Sequence, residues 1–537
     1  MIAEINESGY IIDNNYVNPT LVFYCEESYE IISDSNDNVK KDWHNCMIDK
    51  PFFLLDNSKL IEIIVPCSPR FEVFYIHQRS AYFFFDNYFE AINFLEENNI
   101  EADENQINRF HSKMTCEPGK TFHRFINRLI PGSRYFIDNG VFLYESYMPI
   151  HDLNLSYVDF KRRFEACIKF TIADKDIGVL LSGGVDSTAV ALAASKFSRS
   201  LKTYTMKYIP LQSGTESDAV IAGISSANNN WIHQITEVNF EVPQDGLIEY
   251  YSKEIPLVCG LPHGYEALLK SMKSDNIEKA LTGQNADLLT FFGATSDISL
   301  SREGVVSFIR RLFLSKYYCL FLDSKTFSLD KLIGALIYFF GFFITIIFSI
   351  VKKQKFRQPR NISELFLFSI SSPDSIPFVS MNFSQNCEED SFSLHPTDLN
   401  SENFHFNLLR YRLGSDMMLA DSQLIKVAGK KNHVFVEFPF SFNPLVYFFM
   451  NRKLSLKSIL KPKSFIYDYV FENYPNYSKK IKTTALSNSF EPHVWAKKLM
   501  DNGFVPLHDD GIVRTKFGEL YFNLSKVWIR CLKEYFR

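Results

Sequence analysis

Short runs of aromatic and β-branched residues, separated by turn residues, make up the first 150 residues of the chain. Such punctuation, as in the P-G-S and D-N-G stretches at 131–133 and 138–140, is typical of antiparallel β-sheet. One stretch, residues 88–98, has a helical pattern instead. We therefore predict a mainly antiparallel β domain carrying a helix. The runs that support this prediction lie at residues 20–25, 60–65, 71–77, 81–85 and 134–144.

From about residue 157 the pattern changes to apolar strands that alternate with helices. This βαβα rhythm predicts a parallel sheet covered by helices on both faces. Ligands of such sheets bind at the carboxyl ends of the strands, where Ser182 and Thr282 both fall. The chain after residue 290 has a largely helical pattern, with one strand-like run at 433–440. The predicted elements are strands at 177–181, 201–206, 231–238 and 279–282, and helices ending near 197 and 228.

An uncharged stretch of twenty residues interrupts the helical part at 332–351, and basic residues follow it at 352–357. Its length meets the requirement for a transmembrane helix, and the basic flank suits the cytoplasmic side. A single span would separate Asp186 and Asp287 from the C-terminal helices. A hairpin bent near Gly341, or pairing with the apolar run 305–322, avoids that separation, and a buried core helix is the third interpretation. The sequence leaves these open; if the segment binds lipid, we expect a membrane-borne acceptor substrate.

Composition narrows the class of protein. Apolar residues make up 46% of the 537 residues and charged residues 22%, which is typical of a globular chain with sizeable cores. The formal net charge of −5 provides no electrostatic basis for nucleic-acid binding, so no nucleic-acid partner is expected. The nine cysteines form no C-x-x-C pair, and the first residues lack a signal-peptide pattern. We therefore expect a reduced, cytoplasmic setting, with the cytoplasmic face of a membrane as the alternative.

The strongest chemical signal is V-L-L-S-G-G-V-D-S-T at residues 179–188. An apolar strand stops at a serine and two glycines, and a helix begins near Asp186. Glycines let the backbone approach a ligand closely, and a helix N-terminus attracts anions, so this run predicts a phosphate-binding loop. It is not a Walker A loop, because the chain contains no G-x-x-x-x-G-K-[ST]. A glycine-rich turn without a ligand is the alternative.

The loop resembles the S-G-G-x-D-S loop of the ATP pyrophosphatases, which cleave ATP between its α and β phosphates. Two further stretches resemble the asparagine synthetase family. T-G-Q-N-A-D at 282–287 is similar to that family's S-G-x-G-A-D-E-L-F, and T-F-H-R-F-I-N-R-L-I-P-G-S-R-Y-F-I-D at 121–138 is similar to the last strands of its glutaminase domain. The resemblance covers nearly the whole chain and is strongest at 175–295. It implies a degenerate α+β glutaminase-like domain of the N-terminal-nucleophile type at 1–150. It also implies an α/β, parallel-sheet ATP pyrophosphatase domain at 155–537, which contains the apolar insertion.

The resemblance also implies a chemistry. ATP is expected over the loop, and Asp186 and Asp287 are expected to share Mg²⁺, since a hard cation prefers carboxylate oxygens. A solvated turn aspartate is the alternative for Asp287. A substrate carboxylate would attack the α-phosphate, and an amine would then displace AMP from the acyl adenylate. This is an AMP-forming carbon–nitrogen ligase or amidotransferase, as in asparagine biosynthesis. The residues expected to bind ATP are Leu180, Ser182, Gly183, Gly184, Asp186, Ser187, Met206, Thr282 and Gly283.

The first domain departs from the family at its start. Asparagine synthetases expose a catalytic cysteine directly after the initiator methionine, whereas this sequence begins M-I-A-E and its first cysteine is Cys25. An N-terminal nucleophile uses its own free α-amine as a base, which Cys25 does not have. We therefore expect no glutaminase activity, and expect ammonia or an amine of the substrate as the nucleophile. This pattern is similar to the β-lactam synthetases and lasso-peptide cyclases, which close rings by intramolecular amide formation.

The second domain departs from the family at two places. Leu288 follows Asp287 where the family often has glutamate. V-F-V-E-F-P-F at 434–440 resembles S-V-E-V-R-x-P-F-L-D, and Phe435 and Glu437 stand in place of the family's glutamate and arginine. Positions two apart on a strand share a face, so Glu437 is a candidate catalytic carboxylate. A carboxylate on the rim of the site is the alternative.

A candidate catalytic lysine lies further along the chain. S-K-K-I-K at 478–482 resembles the stretch that holds the family's catalytic lysine. Lys482 is therefore the candidate, with Lys480 as a second choice and a solvated basic run as the alternative interpretation.

Three functions remain open at this point. The first is an asparagine-synthetase-like enzyme that adenylates a carboxylate, in a small molecule or a peptide, and uses ammonia. The second is a ring-closing enzyme whose substrate carries its own amine. The third is a non-catalytic, membrane-associated scaffold that retains nucleotide binding, which Leu288, Phe435 and the missing cysteine favour.

Overall fold

The structure is a computed structural model, and it describes parts of two regions of the chain. The apolar segment 332–351, its alternative partner 305–322, Lys480 and Lys482 lie outside the described residues. None of the helices within the described ranges has the length and apolar character that a membrane crossing requires. The described residues are 5–6, 9–12, 20–23, 30–33, 52–56, 59–66, 72–78, 81–85, 88–95, 103–106, 116–117, 119–138, 141–146, 155–172, 177–198, 200–209, 218–239, 262–290, 413, 416–451 and 463–477.

The N-terminal region contains two sheets. A six-stranded sheet has the order β1-β2-β3-β8-β7-β9, and a five-stranded sheet has the order β11-β10-β6-β5-β4. Neighbouring strands are antiparallel except for the pairs β3–β8 and β4–β5. The prediction of mainly antiparallel strands is confirmed, and the predicted helix is found as α1, Tyr88–Leu95. The strands are β1 Ile5–Asn6, β2 Gly9–Ile12, β3 Thr20–Phe23, β4 Glu30–Ser33, β5 Phe52–Asp56, β6 Lys59–Val65, β7 Phe74–Gln78, β8 Ala81–Phe85, β9 Ile126–Arg128, β10 Ser133–Asp138 and β11 Val141–Ser146.

The second region contains a five-stranded sheet with the order β14-β13-β12-β15-β16. All four strand pairings are parallel, which confirms the α/β class predicted from the alternating pattern. The strand-like run at 433–440 is shorter than predicted. Pro439 has no backbone N–H to donate, and Pro439–Ser441 forms a 3-10 turn directly after the strand. The strands are β12 Ile177–Leu180, β13 Lys202–Ile209, β14 Ile232–Asn239, β15 Lys279–Thr282 and β16 Phe435–Glu437.

Helices cover both faces of this sheet. On one face, α2, α3, α6, α8 and α9 share a continuous apolar core with the strands, and on the other face α5 and α7 pack on Tyr204 and Val436. Aromatic residues fill the first core, where Phe160 and Phe164 are completely buried. The helices are α2 Tyr157–Ile172, α3 Val185–Ser195, α4 Asp218–Asn228, α5 Pro262–Ser274, α6 Ala286–Thr290, α7 Asp416–Lys431, α8 Asn443–Asn451 and α9 Ser464–Asn473.

Candidate functional site

A tight loop joins β12 to α3 at the carboxyl edge of the parallel sheet. Gly183 has a φ angle of +77°, a conformation that L side chains rarely adopt. A Cβ atom on Gly183 would also lie 2.7 Å from Cγ2 of Ile221 on α4. Both the backbone conformation and the contact with α4 therefore require glycine at this position.

Hydroxyl groups brace the same loop internally. The backbone N–H of Ser182 donates to Ser187 Oγ at 3.2 Å, and Ser187 Oγ donates to the carbonyl of Gly184 at 3.1 Å. The two serine hydroxyls lie 3.1 Å apart. Since the first N–H groups of a helix have no acceptor within that helix, the first turn of α3 presents donors and a partial positive charge here. The arrangement suits an oxyanion such as phosphate.

A second loop, 282–285, packs directly against the start of α3. A Cβ atom on Gly283 would lie 2.6 Å from the backbone N of Ser187 and 2.8 Å from the carbonyl carbon of Asp186. The next turn is fixed by Asn285, whose φ is +71°. Its side chain donates to Ser441 Oγ at 2.7 Å and accepts from Ser422 Oγ at 2.8 Å. These contacts hold the start of α6 beside the start of α3.

As a result, the two predicted metal ligands converge, and a lysine lies between them. Lys463 forms an ion pair with Oδ2 of Asp186, and its Nζ lies 2.5 Å from Oδ1 of Asp287. The Asp186 and Lys463 side chains are mostly buried, whereas Asp287 is largely exposed. Sequence reasoning missed Lys463. It precedes α9, almost 280 residues after the loop, and nothing in the K-P-K-S run around it distinguishes it from a surface lysine.

Burial and charge oppose one another in this cluster. Burial raises the pKa of Asp186, the Lys463 ammonium opposes that rise, and the Asp287 carboxylate adds to it. Burial by itself would lower the pKa of Lys463, but the two carboxylates raise it well above its ordinary value. Lys463 is therefore an ammonium, and its charge limits the rise in the pKa of Asp186.

The carboxylates of Asp186 and Asp287 suit a divalent cation that also binds phosphate oxygens. Asp186 Oδ1 is buried and accepts no hydrogen bond from the described residues, so it is available as a ligand. Among the described residues, no three acidic, histidine or cysteine side chains are grouped so that they could hold a metal ion by themselves. Magnesium is commonly held by one or two carboxylates together with substrate phosphates, and Asp186 and Asp287 match that pattern.

Residues 463–477 contact the phosphate-loop region at both of their ends. Lys463 lies between the carboxylates, and at the other end the Tyr477 hydroxyl donates to the carbonyl of Gly183 at 3.2 Å. Between them, Asn228 at the end of α4 donates to the Tyr474 hydroxyl at 2.6 Å. Residues 463–477 thus support the phosphate loop, a role that the sequence pattern did not reveal.

Other predicted nucleotide-binding residues lie along the same sheet edge. Leu180 is the last residue of β12 and Met206 lies within β13, and both pack with the α5 and α7 side of the sheet. Thr282 ends β15, and its hydroxyl accepts from the N–H of Gln284 at 3.2 Å. Leu288, the departure after Asp287, is buried in the apolar core and fills it in place of a polar side chain.

Glu437 has a different environment from the loop cluster. Its side chain is buried, and Oε1 lies 3.8 Å from Nζ of Lys279 on the neighbouring strand. Lys279 also donates to the carbonyl of Thr171 at 2.8 Å. The rim interpretation of Glu437 is therefore wrong, because the strand places it inside the domain; its catalytic role stays a prediction, as does that of Lys482.

A protein-family model matches part of the chain. Residues 159–301 match the sequence model of the family described as Asparagine synthase. No curated protein matches the chain significantly.

Solved structures give weak likenesses. NMN synthetase from Francisella tularensis is 16% identical over 26% of this chain and 59% of its own, with a TM-score of 0.19. The NH3-dependent NAD synthetase from Campylobacter jejuni is 16% identical over 26% of this chain and 61% of its own, with a TM-score of 0.18. The U34-tRNA thiolase NcsA from Methanococcus maripaludis is 15% identical over 31% of this chain and 59% of its own, with a TM-score of 0.19. This chain thus spans about three-fifths of each structure, and likenesses this weak support no inference about function.

The phosphate-type loop, Asp186 and Asp287 all lie inside the matched range. Residues 159–301 therefore form a domain of the asparagine synthase family.

Proposed function

We propose that this protein adenylates a carboxylate with ATP and then forms an amide from the acyl adenylate. The family of the domain supports an ATP-using, ligase-type activity. The observation that carries the finer proposal is the convergence of Asp186 and Asp287 on one cation beside the Ser182–Ser187 loop. Two carboxylates at the mouth of an anion-binding loop are suited to a nucleotide triphosphate with its divalent cation.

The loop would hold the leaving pyrophosphate. The backbone of Gly183 and Gly184 and the first turn of α3 supply donors, and Ser182 and Ser187 supply hydroxyls. The adenosine would lie along the strand ends. The residues proposed to contact it are Leu180, Met206, Thr282 and Gly283.

Asp186 and Asp287 would hold Mg²⁺, which supplies charge neutralisation for the phosphates when bound. A divalent cation at the carboxylates competes with the ammonium of Lys463. Lys463 would then neutralise phosphate oxygens instead, since it extends from the start of α9 directly beside the loop. This assigns to Lys463 part of the role that the sequence predicts for Lys482.

The chemistry has two steps. A carboxylate oxygen of the substrate attacks the α-phosphorus, the bond from that phosphorus to the bridging oxygen breaks, and pyrophosphate leaves with the electron pair. An amine nitrogen then attacks the acyl carbon, AMP leaves, and the nitrogen loses a proton. Positioning and neutralisation of charge account for the catalysis that these residues provide.

Two sources of the amine are compatible with this chemistry. We propose that ammonia or the substrate's own amine attacks the acyl adenylate. Ammonia predicts activity with aspartate or another simple acid, whereas ring closure predicts activity only with a substrate that carries both groups.

The test is ATP–pyrophosphate exchange by the purified full chain with Mg²⁺ and a panel of carboxylates. Asp186→Asn keeps the shape of the side chain and removes its charge, so exchange is expected to be lost. Asp468→Asn is the matched control, because Asp468 is exposed on α9 and outside the site; its exchange should equal that of the wild type. Carboxylate-dependent exchange that survives in Asp186→Asn would contradict the proposal. Tight ATP binding without exchange for any acid would favour the scaffold instead.

A further inference from the structure

Glu165 on α2 connects α2 with both α3 and α9. Its Oε1 accepts a hydrogen bond from the Tyr469 hydroxyl of α9 at 3.1 Å and lies 2.6 Å from Nζ of Lys196, the residue that directly follows α3. The Lys196 ammonium also lies 4.9 Å from the centre of the Tyr469 ring. One carboxylate therefore holds the end of α3 and the middle of α9 against α2.

The beginnings of α3 and α9 carry the charges of the candidate site. Asp186 lies in the first turn of α3, and Lys463 is the residue that immediately precedes α9. Tyr469 lies about 9 Å further along the axis of α9, at roughly 1.5 Å per residue. Because α9 is continuous between them, any sliding of α9 along α3 shifts Lys463 relative to Asp186. The ion pair between these two residues thus depends on the axial position of α9.

Apolar packing constrains that axial position less than it constrains the distance between the helices. Ile466, Tyr469 and Val470 are completely buried in the core that α9 shares with α3. The hydrophobic effect is non-directional and follows the area removed from water, so it opposes separation of the helices more than sliding. A hydrogen bond weakens steeply when its distance or angle changes. The bond from Tyr469 to Glu165 is therefore suited to fix α9 along its axis.

A second link between α9 and α2 is more exposed. Glu472 accepts a hydrogen bond from the Tyr157 hydroxyl and lies 2.5 Å from Nζ of Lys161, but its side chain is 44% exposed and that of Lys161 31%. Water screens such pairs, and they typically contribute little to stability. The Tyr469 side chain, in contrast, is completely buried, so loss of its partner would leave a hydroxyl with little access to water. The bond between Tyr469 and Glu165 is therefore the stronger constraint on α9.

We propose that Glu165 and Tyr469 are positioning residues for Lys463. They hold α9 where the Lys463 ammonium lies between Asp186 and Asp287, and they act on the site only through that lysine. The inference rests on the proposed function in one respect, since it takes the two aspartates to be the site of a divalent cation.

Metal binding without nucleotide tests the positioning role. A divalent cation competes with the Lys463 ammonium for the same carboxylates, so a less firmly held lysine should permit tighter metal binding. Mn²⁺, which also prefers carboxylate ligands, can be titrated into the full chain and followed by electron paramagnetic resonance. Tyr469→Phe keeps the ring and removes the hydroxyl, so Mn²⁺ should bind ~2–10-fold more tightly, the range that one hydrogen bond supports. Glu165→Ala should have the same effect, whereas Glu165→Gln keeps an acceptor oxygen and should remain close to the wild type.

Tyr204→Phe is the matched control. Tyr204 is also buried, and its hydroxyl donates to a carboxylate, that of Asp275, at 2.8 Å. It packs on the α5 and α7 side of the sheet, opposite the core that contains α9. Tyr204→Phe should therefore lower the melting temperature about as much as Tyr469→Phe and leave Mn²⁺ affinity unchanged. This comparison separates a positioning role from a general loss of stability.

A double-mutant cycle shows whether Tyr469 acts through Lys463. Lys463→Met removes the competing ammonium and should itself tighten Mn²⁺ binding. In that background Tyr469→Phe should have no further effect on Mn²⁺ affinity, because the residue that it positions is gone. Equal Mn²⁺ affinity of the wild type and Tyr469→Phe, or the same tightening in both backgrounds, would overturn the positioning role alone. Absence of Mn²⁺ binding from both the wild type and Lys463→Met would overturn it together with the cation site of the proposed function.

Discussion

Replacing Gly283 with alanine tests how the two loops of the site are held together. The added Cβ would lie 2.6 Å from the N of Ser187, 2.8 Å from the carbonyl carbon of Asp186 and 3.0 Å from the Cα of Ser187. All three are backbone atoms of the first turn of α3, so no side chain can rotate away. An ordinary contact begins near 3.4 Å, so the loops must separate by about 0.8 Å, which is the difference between 3.4 and 2.6.

This displacement predicts two measurable losses. Overpacking of this kind costs ~1–3 kcal/mol of stability, which lowers the melting temperature. Because Asp287 moves with the loop away from Asp186, pyrophosphate exchange should fall by at least ~10-fold, within the ~100-fold that a misplacement of about 1 Å can cost.

A helix glycine provides the control. Gly223 lies within α4, where the one atom of the described residues that an added Cβ would meet is His233 Cδ2, at 4.0 Å. Gly223→Ala should therefore stabilise the protein by ~0.5–1 kcal/mol and leave exchange unchanged. If Gly283→Ala kept both the melting temperature and the exchange rate of the wild type, the close approach of the loops would be refuted.

Three further predictions address the same region. Lys463→Met leaves the two aspartates without their cation, so without Mg²⁺ it should lower stability by ~1–3 kcal/mol, and added Mg²⁺ should restore part of the loss; identical melting curves with and without Mg²⁺ would argue against a cation site. Tyr477→Phe removes the hydrogen bond to Gly183, so ATP affinity measured by calorimetry should weaken by ~2–10-fold, as expected for one hydrogen bond, with no change in circular dichroism. Burial lowers the pKa of His233, so its unfolded state takes up a proton that the folded state does not. The contribution of His233 to the free energy of unfolding should be fully present above about pH 6.5 and should be lost as the pH falls below that value. Urea titrations above and below about pH 6.5 should show a smaller loss of stability in His233→Asn than in the wild type.

The sequence predicted the parts of the fold that local chemistry specifies. The strand–loop–helix at 177–195 is visible because apolar strand residues, two glycines and a helix start follow one another within a few positions. The parallel sheet was predictable from the alternation of strands and helices, since the connection between parallel strands must cross a face of the sheet. The sequence predicted that β16 continues to residue 440, whereas the strand ends at Glu437. The 3-10 turn at Pro439 depends on packing beyond the strand itself.

The pairing of Asp186 with Asp287 was expected only through resemblance to a family. No spacing rule links two residues about a hundred positions apart, and the structure explains the pairing through the packing of Gly283 on α3 and the hydrogen bonds of Asn285. For Glu437, the sequence predicted the strand but not the environment of the side chain. Its strand was recognised, but its burial beside Lys279 depends on a strand about 155 residues earlier.

The amino-acid sequence by itself thus determined the loop, its helix and the order of strand and helix, because these depend on backbone freedom and on apolar periodicity over short distances. Tertiary structure alone decided that Lys463 lies between the two aspartates and that Tyr477 braces Gly183. Those contacts require the sheet to bring the carboxyl ends of β12 and β15 together and α9 to pack across α3. Lys463 is far from both aspartates in the sequence, so its ammonium acts on their carboxylates only after folding has buried it beside them.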